Sequence, residues 1–274
     1  MAESIFVDRY RILRRLGGHR GCLTLEAAGP DGSRVALKLL EIDSSVGGDE
    51  ARLRFRREAE VLARLAHPGI VRLLDRGEGI RHAWIALELL RGRTLCAHVD
   101  LFSLSATLAC LDAMLDALAH LHAHGVVHRD LKPANVVMDA YRGPVLCDFG
   151  IAHVDHSLLT QRGELLGTPA YMAPECFLGE TWDARSDLFS AAVIAYEMLT
   201  GRLPFDGANS GEIMLAIMQE PAPRASRWNP AVPPALDELL AGALAKSPHR
   251  RFASAESFRE ALRAATTGSV CSTL

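Results

Sequence analysis

Residues 126–150, VVHRDLKPANVVMDAYRGPVLCDFG, decide the reading of this 274-residue chain. Asp130 is placed to accept a proton from an attacking hydroxyl. Asn135 and Asp148 offer hard oxygen ligands of the kind Mg²⁺ takes beside phosphates. Between them, VVM and VLC read as short strands around a turn at Gly143 and Pro144. A hairpin of that kind brings Asn135 and Asp148 together although they are distant in sequence.

Working outward, the helix expected over 104–124 delivers the chain to this stretch. Its leucines Leu104, Leu108, Leu111, Leu115 and Leu118 step by four and three, which makes a core-facing stripe, and Gly125 is a good stop. Towards the N-terminus, 10–16 and 22–28 read as strands joined by GGHRG. GPDGS at 29–33 is a strong turn signal, and RVALKLLE at 34–41 follows as a third strand. Alternation puts Ala36, Lys38 and Leu40 on one face. The segment 50–66 reads as a helix closed by His67-Pro68-Gly69, with Glu58 and Leu62 on one side of it. Taken alone, Lys38 and Glu58 are a strand lysine and a helix glutamate in solvent. AWIALEL at 83–89 reads as a buried strand. Beyond the central stretch, 151–173 has no periodicity, and a long irregular segment in a compact domain is usually functional. It runs into GTPAYMAPE at 167–175. Helices are expected over 186–201, 210–218, 234–244 and 254–265.

HRDLKPAN followed by DFG resembles the catalytic core of the protein kinases, and GTPAYMAPE in this order and spacing resembles the end of their activation segment. The resemblance covers about residues 10 to 265. In style it is similar to the bacterial eukaryotic-like serine/threonine kinases. It implies an α+β fold with two lobes: a small β-rich N-lobe with one long helix over about 10–90, and a larger, mainly α-helical C-lobe over about 91–265. A short polar tail, 266–274, would follow. The resemblance also implies roles. Asp130 would be the catalytic proton acceptor, and Lys132, which points to the serine/threonine class, would steady the transferred phosphoryl. Asn135 and Asp148 would hold the metal. Lys38 of VALK would bind phosphate and pair with Glu58. Leu62, Leu73, His128 and Phe149 would stack as a spine. Leu16, Leu23, Ala36 and Val137 would wall the adenine, with Leu87 as gatekeeper and backbone groups offered by Glu88 and Leu90. Glu175 would pair with Arg251, and Asp187 would hold the catalytic-loop backbone. Thr168 would contact Asp130 and Lys132. Thr160 would be a regulatory phosphorylation site received by Arg129, with Ser157 and Thr168 competing.

One motif departs from the family. Its glycine loop is GxGxxG, whereas this chain has Leu16-Gly17-Gly18-His19-Arg20-Gly21. Either Gly18 and Gly21 match and Leu16 replaces the first glycine, or one residue is deleted and Gly17 is the first. Both leave backbone N–H groups and φ freedom for phosphate. The implied activity is transfer of the ATP γ-phosphoryl to Ser or Thr hydroxyls of proteins, with Mg²⁺ or Mn²⁺ and with the chain itself as one substrate in trans. The competing readings are a pseudokinase scaffold, which the altered loop favours, and a small-molecule kinase, which GTPAYMAPE opposes.

Composition limits the rest. The net charge of −3 argues against a polyanion partner such as nucleic acid. The start, MAESIFVDRYRILRR, does not read as a signal peptide. The more apolar segments are interrupted by charged residues or histidine, so no membrane span is expected. The six cysteines form no CxxC pair or zinc spacing, which suggests reduced thiols in a cytoplasm. His120 and His124, one helical turn apart, lack an acidic or thiol partner for a metal and read as helix-end histidines.

Overall fold

The computed structural model describes residues 5–19, 21–42, 48–80, 82–97, 102–149, 169–179 and 182–267. Six strands form the N-terminal antiparallel sheet: β1 (Phe6–Val7), β2 (Tyr10–His19), β3 (Cys22–Ala28), β4 (Arg34–Glu41), β5 (Leu73–Glu78) and β6 (His82–Glu88). Their order is β1-β2-β3-β4-β6-β5. Helix α1 (Gly48–Leu62) connects β4 to β5. Alternation along β4 sorts its side chains to two environments. Val35, Leu37 and Leu39 are buried in one cluster with Tyr10, Leu25 and Trp84. Ala36 and Leu40 pack against a second, much larger core, and Lys38 shares their side of the strand. On α1, Phe55, Ala59 and Leu62 make the buried stripe. Glu58 lies within that stripe and is itself only 5% exposed.

The second lobe is mainly helical. It contains α2 (Leu104–Ala123), α3 (Pro174–Phe177), α4 (Ala184–Thr200), α5 (Ser210–Gln219), α6 (Pro234–Ala243) and α7 (Ala255–Thr267). A small sheet has the strand order β7 (Gly92–Thr94), β8 (Val136–Asp139) and β9 (Gly143–Leu146); β7 precedes α2 in sequence, and β8 and β9 lie between α2 and α3. Ser103 caps α2 by accepting the Ala106 N–H, and Gly201 closes α4 in the left-handed conformation. Helix α4 is buried nearly all round, which its run of small and apolar residues permits. The large core joins Leu62 of α1, Phe149 after β9, and the leucines of α2 and α4.

Several boundaries differ from the sequence reading. β2 does not stop at Leu16 but carries Gly17 and Gly18 in register with Thr24 and Leu23. Helix α1 ends at Leu62, short of residue 66. α7 runs to Thr267, into the expected polar tail. Strands β1, β5 and β7 and the short α3 were not expected. One premise of the reading about membrane spans needs correction, namely that no segment is long and apolar enough. By length and composition α2, at 20 residues and a mean hydropathy of 1.4, could cross a membrane. Here it is a core helix: Leu115, Leu118 and Leu121 are 0% exposed.

That packing gives a direct test. Leu118→Ala removes a fully buried side chain from α2. It should lower unfolding stability by about 2–5 kcal/mol, read as a lower urea midpoint with an unchanged slope.

Candidate active site

Lys38 is the meeting point of three elements. Its Nζ donates to Glu58 Oε1 at 2.7 Å and lies 3.2 Å from Asp148 Oδ1. β4 supplies the lysine, α1 the glutamate, and the chain just after β9 the aspartate. Burial opposes the charged lysine, but Glu58 and Asp148 outweigh it and hold the ammonium above the ordinary lysine range. Burial pushes the Glu58 carboxyl above its ordinary range, and the pull of Lys38 offsets only part of that. With the lysine kept cationic at 2.7 Å, the pair is ionic.

The residues of the loop that carries Asp130 form a second cluster. Lys132 Nζ donates to both Asp130 oxygens, at 2.9 and 2.8 Å. Asn135 Nδ2 donates to the Asp130 carbonyl and to Asp130 Oδ2, each at 2.8 Å. Because Nδ2 is engaged there, Asn135 Oδ1 is the atom left for a cation. Asp148, in the left-handed region with φ 50°, keeps a carboxylate that is 48% exposed. Among the described residues no three His, Cys, Asp or Glu side chains form a metal cage. Two oxygen ligands beside a cavity suit instead a cation that takes its remaining ligands from phosphate and water.

What holds this loop is Asp187 at the start of α4. Its Oδ2 accepts the His128 N–H at 2.8 Å and its Oδ1 the Arg129 N–H at 3.0 Å. Arg129 sits at φ 66°, and this clamp holds it there. His122 Nε2 reaches the same Oδ2 at 2.8 Å. Sequence reasoning missed His122, since its only signal was a histidine in the last turn of α2. His128 is fully buried with its ring 4.8 Å from that of Phe149. Phe149 and Leu62 share the large core and Leu73 packs on it, so the four expected spine residues are gathered in one region.

Gly18, Cys22, Lys38, Glu58, Asp130 and Asp148 all line one cleft cavity of about 390 Å³. Gly18 has φ 101°, and a Cβ there would meet the Cys22 carbonyl at 2.4 Å, so the position admits only glycine. Gly17 is paired in the strand, and Gly21 follows at φ 92°. The residues expected around adenine are less enclosed: Leu16 is 40% exposed, and Leu23, Ala36, Leu90 and Val137 are half-buried. Ala36 pairs with Leu87, and Val137 with Thr94. Glu88 donates its N–H to the Arg72 carbonyl and accepts from the Arg72 N–H and from Arg142. Thr160, Thr168 and Ser157 lie outside the described residues.

A pair at the far end of the segment is complete. Arg251 donates to both Glu175 oxygens at 2.7 Å, with side chains 0% and 2% exposed. Ser186 adds a third donor to Glu175 at 2.7 Å, and Arg251 stacks on Phe189.

Comparison with known proteins gives concordant results. Residues 10–263 match the family described as the protein kinase domain. The chain is 38% identical over 264 residues to the serine/threonine-protein kinase Pkn1 of Myxococcus xanthus, covering 93% of this chain and 38% of that protein. It is 34% identical over 264 residues to the serine/threonine-protein kinase PrkC of Bacillus subtilis, covering 94% and 40% respectively. It therefore spans about two fifths of the length of these relatives. Among solved structures, the Mycobacterium tuberculosis PknI kinase domain superposes with a TM-score of 0.76 at 31% identity, over 97% of this chain and 99% of that one.

The buried Glu175–Arg251 pair has a predictable pH signature. Burial would raise the Glu175 carboxyl, but the Arg251 guanidinium holds it below its ordinary 4.5. The folded state then binds this proton less readily than the unfolded chain. Its share of stability is present above pH 4.5 and is lost as pH falls further. Arg251→Met leaves a buried carboxylate without its partner. At pH 7 it should cost about 3–5 kcal/mol. The variant should recover part of that loss on acidification towards pH 5, where the parent does not gain, as urea melts across pH will read.

Proposed function

The chain belongs to the protein kinase domain family, and from that premise we propose that it transfers the γ-phosphoryl of ATP to Ser or Thr hydroxyls of proteins. The observation that carries this reading is the convergence of Lys38, Glu58, Asp130, Asn135 and Asp148 on one cleft, with Lys132 bonded to Asp130. A binding scaffold would not need that full set, each member oriented by another. The altered glycine loop, the one feature that favours a scaffold, still leaves Gly18 and Gly21 in glycine conformations beside the cleft.

Each residue then has a physical task. Asp130 takes the proton of the attacking hydroxyl, and Oδ1, with one donor among the described residues, is the freer oxygen. Lys132 steadies charge on the phosphoryl as it passes. Lys38, kept cationic by Glu58 and Asp148, meets phosphate oxygens. Asn135 Oδ1 and the Asp148 carboxylate hold a divalent cation, for which we assign Mg²⁺ with Mn²⁺ as a substitute. When bound, that cation neutralises the phosphates and orients them. Ala36, Leu16, Leu23 and Val137 take the adenine faces, with Glu88 and Leu90 at its edge. We assign the serine/threonine class to Lys132 and to the names of the relatives. We place the work in the cytoplasm, where the five free cysteines among the described residues stay reduced. We further assign Thr160 as a site the enzyme phosphorylates on another copy of itself, with Arg129 receiving the phosphate.

The test separates binding from transfer. Asp130→Asn should slow phosphoryl transfer to a generic protein substrate by about 10²–10⁴-fold, while Mg-ATP still raises the melting temperature. Lys38→Met should abolish transfer, as should removal of divalent cations. Parental rates in either variant, or no thermal shift with millimolar Mg-ATP, would refute the assignment. Mass spectrometry after incubation with Mg-ATP should find phosphate on Thr160, and Thr160→Ala should lower activity.

A further inference from the structure

The connection between α1 and β5 carries His67-Pro68-Gly69, and its hydrogen bonds lead to the active site. His67 Nδ1 accepts the Gly69 N–H at 3.0 Å, which closes the turn. The Gly69 carbonyl accepts the Leu146 N–H at 2.9 Å, and the Leu146 carbonyl accepts the Val71 N–H at 3.0 Å. Leu146 ends β9, and only Cys147 separates it from Asp148. The turn is also wedged against α2: a Cβ on Gly69 would lie 2.9 Å from the Ala117 Cβ and 3.2 Å from His67 Nδ1. It thus has little room for another shape.

The rest of the imidazole is held as well. His67 Nε2 lies 3.5 Å from Asp116 Oδ2. Its ring stacks on His120 at 5.1 Å, and His120 packs on His124 at 4.4 Å. The charged groups around this stack come from two helices. α2 supplies Asp112, Asp116, His120 and His124, and α7 supplies Arg259, bonded to both aspartates, and Arg263 on Asp112. Arg259 already offsets much of the charge of Asp116. Burial, and then His124 and His67, lower the pKa of His120. The hydrogen bonds select one tautomer of His67: Nδ1 accepts from Gly69 and Nε2–H faces Asp116. A proton on Nδ1 would set donor against donor.

We propose that His67 is a positioning residue for the cation ligand Asp148: as a neutral acceptor it closes the turn whose Gly69 carbonyl grips Leu146, and protonation of Nδ1 releases that grip. The inference deepens the kinase reading and rests on it for the role of Asp148. Its consequence is a proton-sensitive support beneath the proposed metal site, formed by residues that do not line the cleft cavity.

The experiment uses the full chain without nucleotide and follows the backbone amide protection of Leu146 from pH 8 to pH 5.5. Three proteins are compared: the parent, His67→Asn and His67→Leu. An asparagine Oδ1 can accept the same Gly69 N–H and does not titrate. In the parent, Leu146 protection should fall about two- to tenfold on acidification, the worth of one hydrogen bond. In His67→Asn it should stay high throughout. In His67→Leu it should be low at every pH, with phosphoryl transfer lowered in step. Equal protection in all three proteins, or a parental pH fall in His67→Asn, overturns the proposal. The asparagine variant decides the matter even if the leucine variant does not fold. Because exchange is read without nucleotide, the expected exchange pattern in a chain that transfers no phosphate would count against the kinase reading and not against His67.

Discussion

A lysine ammonium inside a β-sheet lobe has to be matched by anions, and the way Lys38 is matched ties the cleft together. Its side chain is 14% exposed, too little for water alone to carry the charge. Glu58 arrives from α1 and Asp148 from the far side of β9, so a sheet, a helix and the second lobe meet at one nitrogen. The orientation of α1 follows. Glu58 belongs to the same stripe as Phe55, Ala59 and Leu62, so the rotation that buries the apolar residues also aims the carboxylate. Turning the helix to free Glu58 would expose Phe55 and Leu62. Packing and electrostatics at this point are one constraint.

The second lobe uses buried acids in a related way. Helix α4 is surrounded by other residues, so Asp187 near its start, 2% exposed, must find donors within the protein. It finds them in the N–H groups of His128 and Arg129 and in the ring of His122. A carboxylate satisfied in this manner converts the rigidity of a core helix into a fixed path for the loop that carries Asp130. Arg129 is held in the left-handed region as part of that path, which brings Asp130 within reach of Lys132 and Asn135. Glu175 is treated differently. It takes a bidentate arginine, which fixes the segment after Ala173 to the loop before α7.

Most of the site was legible in the sequence because its members are polar residues of unusual type in short motifs, and their order identifies them. The strands β3 and β4 were legible through alternation and the turn at Gly29–Ser33, and α2 through its leucine stripe. What could not be read depends on contacts remote in sequence. β5, LLDRGE, looks like a turn, with Leu74 exposed and a glycine inside; it is a strand because β6 pairs with it. β7 exists only through its pairing with β8. Gly17 and Gly18 read as loop by composition, but partners on β3 keep them in the ladder. His122 carries no local mark, since its partner Asp187 lies 65 residues away, and the contact of His67 with Asp116 of α2 is equally remote from its own turn. The apolar adenine walls are half-exposed residues that composition does not distinguish from ordinary surface or core.

The altered glycine stretch makes sense within the same frame. A longer glycine loop leaves the strands early and covers phosphate as a loose flap. Here β2 continues through Gly17 and Gly18 to His19, so the hairpin stays paired almost to its tip. Arg15 folds back on the same strand, donating to the Gly17 carbonyl at 3.3 Å and to the Gly18 carbonyl at 2.8 Å. These bonds occupy carbonyls, the groups that repel phosphate, and place a guanidinium beside the strand. Gly18 in turn admits no side chain, because the Cys22 carbonyl is too close. A backbone can approach phosphate by being flexible or by being bare and fixed; in the proposed role, the loss of the usual first glycine would remove some of the former, and the paired hairpin with Arg15 would supply the latter.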